Sequence, residues 1–192
     1  SFRNMDHADS LSERHVEVAE ELHSITNAQY IPRNVSERPF IGIHVRLGDF
    51  QQTSESDLRS GAHCKRIPIQ WYVDVLLALR QSLGFEMEAK VFSDSEDEAL
   101  RPLLRSAATT RYEGGSAITD MLALSLASVV IASGSAFSMW ASFLRAVPAV
   151  WYPGQQFSMR RCNAEVRRDI EWIQGERIDN RFVQLIEQGM RC

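Results

Sequence analysis

Lysine is almost missing from this 192-residue chain: Lys65 and Lys90 stand against 19 arginines. With 25 acidic residues the formal net charge is −4 and the pI about 5.8. That balance excludes the clustered positive field on which general nucleic-acid or anionic-membrane binding depends. Arginine's planar fork suits phosphate groups, although base composition of the genome produces the same bias and is the weightier explanation. Cysteine is scarce as well. Cys64, Cys162 and Cys192 are widely spaced with no CxxC pair, which suggests neither a zinc site nor a dense disulfide framework and fits a reducing, cytoplasmic compartment. No apolar run reaches the roughly 18 residues of a membrane span; the nearest, "MLALSLASVVIASGSAF", is broken by serines and a glycine, so no membrane insertion is expected. The chain begins without a methionine or a charged and then apolar leader, as a mature form or an excised piece of something longer would. A GxGxxG after the first strand is lacking, which argues against a dinucleotide-dependent oxidoreductase. No histidine follows His63, which argues against a serine hydrolase whose histidine must come after its serine. His7, His15 and His23 are spaced by eight, not by the four that would put a metal-binding pair on one helix face.

What is present is a good core and an alternating pattern. Hydrophobic residues make up 44% of the chain, enough for one domain and, at this length, not for two. The reading is a single domain over 1–192, with an N-terminal helical segment (1–37), a motif-bearing core (38–152) and a C-terminal helical tail (153–192). Leu11, His15, Val18, Leu22 and Ile25 recur at helical spacing behind a capping-box signature at Ser10 and Glu13. A strand at 40–45 is followed by a polar loop over 50–67. Trp71, Val75, Leu76, Leu79 and Leu83 then predict a helix between Pro68 and Gly84. Beyond it come strand "AKVFS", helix "EDEALRPLLRSA", strand "TTRY", helix "AITDMLALSLA", strand "VVIAS", helix "SMWASFLRA" and a last strand "AVWYP". One more helix is expected within 176–190. Strand alternating with helix through short connections specifies a parallel sheet. The fold class is therefore α/β, a Rossmann-like three-layer sandwich.

Charge and small polar residues gather just after the strands. "IGIHVRLGDF" ends its apolar alternation in His44, Arg46 and Asp49; "VFSDS" places Ser93 and Asp94 after the next strand; "ASGSAFS" places Gly134 to Ser138 after another. Carboxyl ends of parallel strands share one edge of the sheet, so these groups converge on a single crevice. A strand leading through small residues into a helix leaves several unpaired N–H groups at the helix's positive end, an anion site. Arg46 could reach the same anion from the neighbouring strand, and together they resemble a diphosphate clamp. Equally open is that Ser135 or Ser138 merely caps its helix and Arg46 merely pairs with Asp49. The acids Asp94, Glu96, Asp97 and Glu98 read better as a helix cap and first turn than as a metal cluster. Asp94 at a strand end, or Asp120 in the first turn of its helix, could accept guanine's N1–H and exocyclic amine, a pair adenine cannot offer; each could equally be a helix-terminal acid. Arg160, Arg161, Arg167 and Arg168 form a late basic cluster read as surface.

The segments "HVRLGDF", "VFSDSEDEALRPLL" and "ITDMLALSLASVVIASGSAFSMWASFL", in this order and spacing, resemble the three motifs of the GDP-fucose-dependent fucosyltransferases, the superfamily of α1,2-, α1,6- and protein O-fucosyltransferases. The resemblance runs from about Arg38 to Tyr152. It implies GDP-fucose as donor substrate with no other cofactor and no metal, inversion at the sugar carbon, and a glycan or protein acceptor. It further implies Arg46 as the catalytic group on the β-phosphate, His44 with Asp94 or Asp120 at guanine, and Ser135, Ala136 and Phe137 in the phosphate-binding turn. Leu47 stands where the α1,2 and α1,6 branches carry a second arginine, closer to the protein O-fucosylating pattern. Glu55 falls in the loop where the α1,6 branch places a glutamate, and a solvent-facing loop acid is the other reading of it. These transferases have two Rossmann-like halves (GT-B), and this chain resembles the C-terminal, donor-binding half, with the N-terminal acceptor half missing. A non-catalytic nucleotide-sugar-binding module is the alternative.

Overall fold

The first strand, β1 (Phe40–Val45), is buried along its whole length, because its two faces meet two different helix layers. Ile41, Ile43 and Val45 point into one core and Phe40 into the other. Gly42 faces the second layer, where a β-carbon would sit 2.5 Å from Leu124 Cδ1; only glycine lets that helix come so close. In the computed structural model, residues 14–33, 35–156 and 168–191 are described.

The order after β1 is α2 (Glu55–Arg59), α3 (Ile69–Leu83), β2 (Glu88–Ser93), α4 (Asp97–Leu104), β3 (Thr109–Arg111), α5 (Ala117–Leu124), β4 (Val129–Ile131), α6 (Ala136–Leu144), β5 (Ala149–Trp151), β6 (Asp169–Glu171) and α7 (Asn180–Gly189). Ahead of β1 lie α1 (His15–Ile25) and a 3₁₀ turn, Ala28–Tyr30. All strand pairs are parallel, in the order β3-β2-β1-β4-β5-β6. The α/β sandwich with a parallel sheet expected from the alternation is what the chain adopts. α3, α4 and α7 cover one face through Trp71, Val75, Leu79, Leu100, Leu103 and Ile186. α5 and α6 cover the other through Ala123, Leu124, Met139 and Ala141, and α1 packs on α6.

The helix expected between Pro68 and Gly84 forms as α3, its five predicted apolar positions all buried. Each such side chain contributes roughly 1.5–3 kcal/mol on leaving water. Gly84 ends the helix in the left-handed region at φ 77°, where glycine carries no steric penalty. Three expectations change. The polar stretch 50–67 is not all loop: α2 interrupts it, capped by Ser54 Oγ, which accepts from Asp57 N at 3.2 Å. β5 is not the last strand, since β6 adds a sixth. The helix after β4 begins at Ala136, two residues before Ser138. Ser10, Leu11 and Glu13, and the arginines at 160, 161 and 167, lie outside the described residues. Arg168 is described, and its Nη1 donates to Ala146 O at 2.9 Å. Among the described residues no helix is long and apolar enough to cross a membrane.

Candidate functional site

The order 3-2-1-4-5-6 has a switch point between β1 and β4, where successive connections leave in opposite directions and ligands of such sheets bind. Ile43 lies opposite Ile131, so the segments that follow, His44 to Asp49 and Ala132 to Ser138, emerge side by side on the carboxyl edge. The expectation that these two strand ends share one edge of the sheet is met, on neighbouring strands.

His44 joins them. Only 4% exposed, it turns Nδ1 toward three hydroxyls, Ser138 Oγ at 2.7 Å, Ser133 Oγ at 2.8 Å and Ser135 Oγ at 3.4 Å. Phe137 stacks on its ring, with centroids 4.5 Å apart. Ser138 Oγ also accepts from Ser133 N at 3.0 Å, which closes the turn on itself. Burial lowers the His44 pKa to about 3, with Asp94 opposing the shift and Arg46 adding to it; the imidazole is neutral. These contacts tie β1 to the turn.

That turn is the start of α6. Ser135 is the N-cap, its Oγ accepting from Ser138 N at 3.4 Å. The capping role open in the sequence is thus real. It spends one amide and leaves others: among the described residues, the N–H groups of Gly134, Ser135, Ala136 and Phe137 have no recorded acceptor. Ala136 is exposed, Phe137 half-buried and Ser138 buried.

Arg46, in the segment after β1, has a third of its side chain exposed. Its Nε donates to Asp49 Oδ1 at 2.7 Å and lies 3.2 Å from Asp94 Oδ2. The Asp49 pairing weighed in the sequence is therefore present. It raises the Arg46 pKa and lowers that of Asp49 through the shared hydrogen bond. Both contacts run through Nε, and among the described residues neither Nη has a recorded hydrogen bond. The guanidinium carries two further donor groups.

Asp94 has a role that sequence reasoning did not assign. Its Oδ1 accepts from Leu47 N and its Oδ2 from Gly48 N, both at 3.0 Å, so it clasps the loop that carries Arg46. It is not the cap of α4. The N-cap there is Glu96, with no side-chain capping bond. Ser93 Oγ serves the local turn by accepting from Ser95 N at 3.1 Å. Asp97 pairs with Arg111 at 2.6 Å and Glu98 with Arg101, which accounts for the acidic run. Asp120 lies apart from this cluster, in the first turn of α5 beyond β3. Its Oδ1 accepts from Gly114 N at 2.9 Å, and burial raises its pKa. Glu55 pairs with Arg59 at 2.7 Å and is largely exposed. Among the described residues no three histidines, cysteines or acids gather as a metal site.

Two contributors were missed. Ser133 supplies the middle hydroxyl under His44, and Gln155, only 5% exposed, presses against the turn. A β-carbon on Gly134 would lie 2.6 Å from Gln155 Oε1, while Gln155 Nε2 donates to Leu58 O of α2 at 2.6 Å. Nothing local in the sequence marks Gln155; the glycine between two serines was the available signal for a close approach.

The crystal structure of POFUT1 in complex with GDP is similar to this chain with a TM-score of 0.44 and 18% identity, over 72% of this chain and 46% of that one. The chain thus spans just under half the length of that protein. No curated protein matches it. The description of glycosyl transferase family 11 matches residues 3–174, nearly the whole sequence. On that match, which takes in β1 with its Arg46 loop and β4 with its serine-rich turn, the chain belongs to glycosyl transferase family 11.

Proposed function

We propose that this chain is the GDP-fucose-binding half of a fucosyltransferase, passing fucose with inversion to a hydroxyl of a glycan or protein acceptor. The observation that carries this reading is one juxtaposition. A partly exposed arginine and an open helix N-terminus occupy adjacent strand ends at the switch point, locked together by His44. The diphosphate lies across that junction, its oxygens taking the unspent amides of the turn and the Nη groups of Arg46. The helix dipole favours the same charge. As the acceptor oxygen bonds to the sugar carbon, the bond to the β-phosphate breaks and its electrons pass to GDP. Arg46 and the amides meet that charge, and the acceptor's proton goes to a general base. Donors fixed before the reaction cost no reorganisation when charge develops.

Base selection falls to Asp120 in preference to Asp94. Both Asp94 oxygens already hold loop amides, whereas Asp120 has a recorded bond at Oδ1 alone. With strands about 4.8 Å apart, the end of β3 lies about 10 Å from β1, on the side of the crevice where the nucleoside would extend.

The test is turnover of GDP-fucose with a mixed glycan and peptide acceptor panel. Arg46→Ala is expected to lower kcat by about 10²–10³, the usual loss for one such donor, and to weaken GDP binding. Wild-type turnover in Arg46→Ala would overturn the catalytic assignment. Calorimetric binding of GDP-fucose with no release of GDP under any acceptor would assign the non-catalytic module instead.

A further inference from the structure

We propose that the cleft above the carboxyl ends of β5 and β6 is a subsite for one neutral sugar ring of the acceptor, next to the ring that reacts but separate from it. This rests on the glycosyl-transfer reading above. The cleft has a volume of about 170 Å³, and a cavity of about 150 Å³ accommodates one six-membered ring. Trp71, Tyr152 and Trp172 line it, with Gln70, Asp74 and Gln174 at its polar margin.

The chemistry of this lining selects a neutral polyol. The indole N–H groups are spent inside the protein, Trp71 Nε1 on Trp172 O at 3.2 Å and Trp172 Nε1 on Glu176 O at 2.9 Å. Each of the three side chains is more than nine-tenths buried, so what the aromatics offer a ligand is a small floor of carbon surface, against which the C–H groups of a pyranose can rest. Asp74 already accepts from Gln70 Nε2 at 2.9 Å and from Gln174 Nε2 at 2.6 Å. The Glu55 and Arg59 side chains at the rim are paired at 2.7 Å. Among the described residues that line the cleft, no lone cation awaits a phosphate or carboxylate, and no lone carboxylate demands an amine. Remaining are amide oxygens, second amide N–H groups and the Tyr152 hydroxyl, a mixture of donors and acceptors that matches sugar hydroxyls.

Position assigns the ring its place. Pro68 and Trp71 at the start of α3, Tyr152 after β5 and Trp172 after β6 all lie on the carboxyl edge, the edge of the Arg46 crevice. In the order β1-β4-β5-β6, a spacing of about 4.8 Å per strand puts the cleft about 10–15 Å from β1. That is too far for a hydroxyl of its occupant to reach the donor's sugar carbon beside the β-phosphate, and near enough for a neighbouring unit of one oligosaccharide. α2 stands between the two places, with Glu55 and Arg59 on the cleft and Leu58 O held by Gln155 beside the turn.

The experiment measures saturation-transfer NMR contacts and acceptor kinetics with neutral methyl glycosides, neutral di- and trisaccharides, a sialylated oligosaccharide and a glucosamine. The full chain is used as wild type, as Asp74→Ala/Gln174→Ala, and as Ile173→Trp, which fills the cleft from an exposed position. Expected are neutral-sugar contacts in the wild type and a fall in acceptor KM as the acceptor lengthens. Both variants should lose that length advantage by about 5- to 10-fold, the weight of a hydrogen bond or two, with GDP affinity and donor hydrolysis unchanged. An unchanged length advantage in both variants, or stronger contacts to the charged sugars, would overturn the subsite. If the wild type binds no GDP, the transferase reading itself has failed, which the GDP measurement reports separately.

Discussion

A histidine sealed beneath three serine hydroxyls makes a poor proton carrier near neutral pH, and His44 is better understood as a rivet. Its cost appears in acid. The unfolded chain binds a proton near pH 6.5, and the folded chain does so only near pH 3. The unfolded state therefore holds more protons in that window, so stability is full above about pH 6.5 and declines as pH falls toward 3. Going from pH 7.5 to 5 should remove roughly 2 kcal/mol on this account. Urea midpoints at the two pH values check it, with His44→Gln expected to flatten the difference relative to wild type. Ser138→Ala should cost about 1–3 kcal/mol by orphaning the buried Ser133 N–H. That His44 mattered was legible from its place at the end of an apolar run. What it touches was not, because Ser133 and Ser138 lie 89 and 94 residues away and no local period encodes such a contact.

Among the elements, the loop after β1 is rigid for a reason that Gly48 makes testable. A β-carbon there would sit 2.5 Å from Asp94 Oδ2, so Gly48→Ala must push away the carboxylate that holds two loop amides and faces Arg46. The expected outcome is a loss of about 1–3 kcal/mol from crowding a packed site and a larger fall in turnover than in thermal stability. Differential calorimetry alongside GDP-fucose kinetics would separate the two. The clasp also explains why the acidic run misled: Asp94 is followed by acids that serve α4 and Arg111, and its own partners belong to another strand. α2 had a visible signal, Ser54 followed three residues later by Asp57, a capping pattern overlooked amid polar sequence. β6 offered none. Three residues reading Asp-Ile-Glu carry too little hydrophobic alternation to register as a strand, and only pairing to β5 makes them one.

For the molecule as a whole, topology decides more than any side chain. Alternation in the sequence was enough to give a parallel α/β sheet, and the reversal of strand order between β1 and β4 then brings loops distant in sequence to one rim. A nucleotide that binds there stabilises the folded state by mass action, about 2.7 kcal/mol at 100 times its Kd, which for a chain of this size shifts Tm by roughly 5–11 °C. GDP is expected to give that shift and ADP little of it, and Asp120→Asn should erase the difference while leaving the shift by inorganic pyrophosphate intact. Equal shifts with GDP and ADP in the wild type would remove Asp120 from the base site.

Gln155 pins two parts of the carboxyl rim to each other at a single point. The oxygen of its terminal amide lies against Gly134 in the serine-rich turn, and the nitrogen of the same amide holds α2 by the Leu58 carbonyl. The serine-rich turn and the helix that borders the outer cleft are therefore coupled through one carboxamide, and shortening that side chain by a methylene would uncouple them.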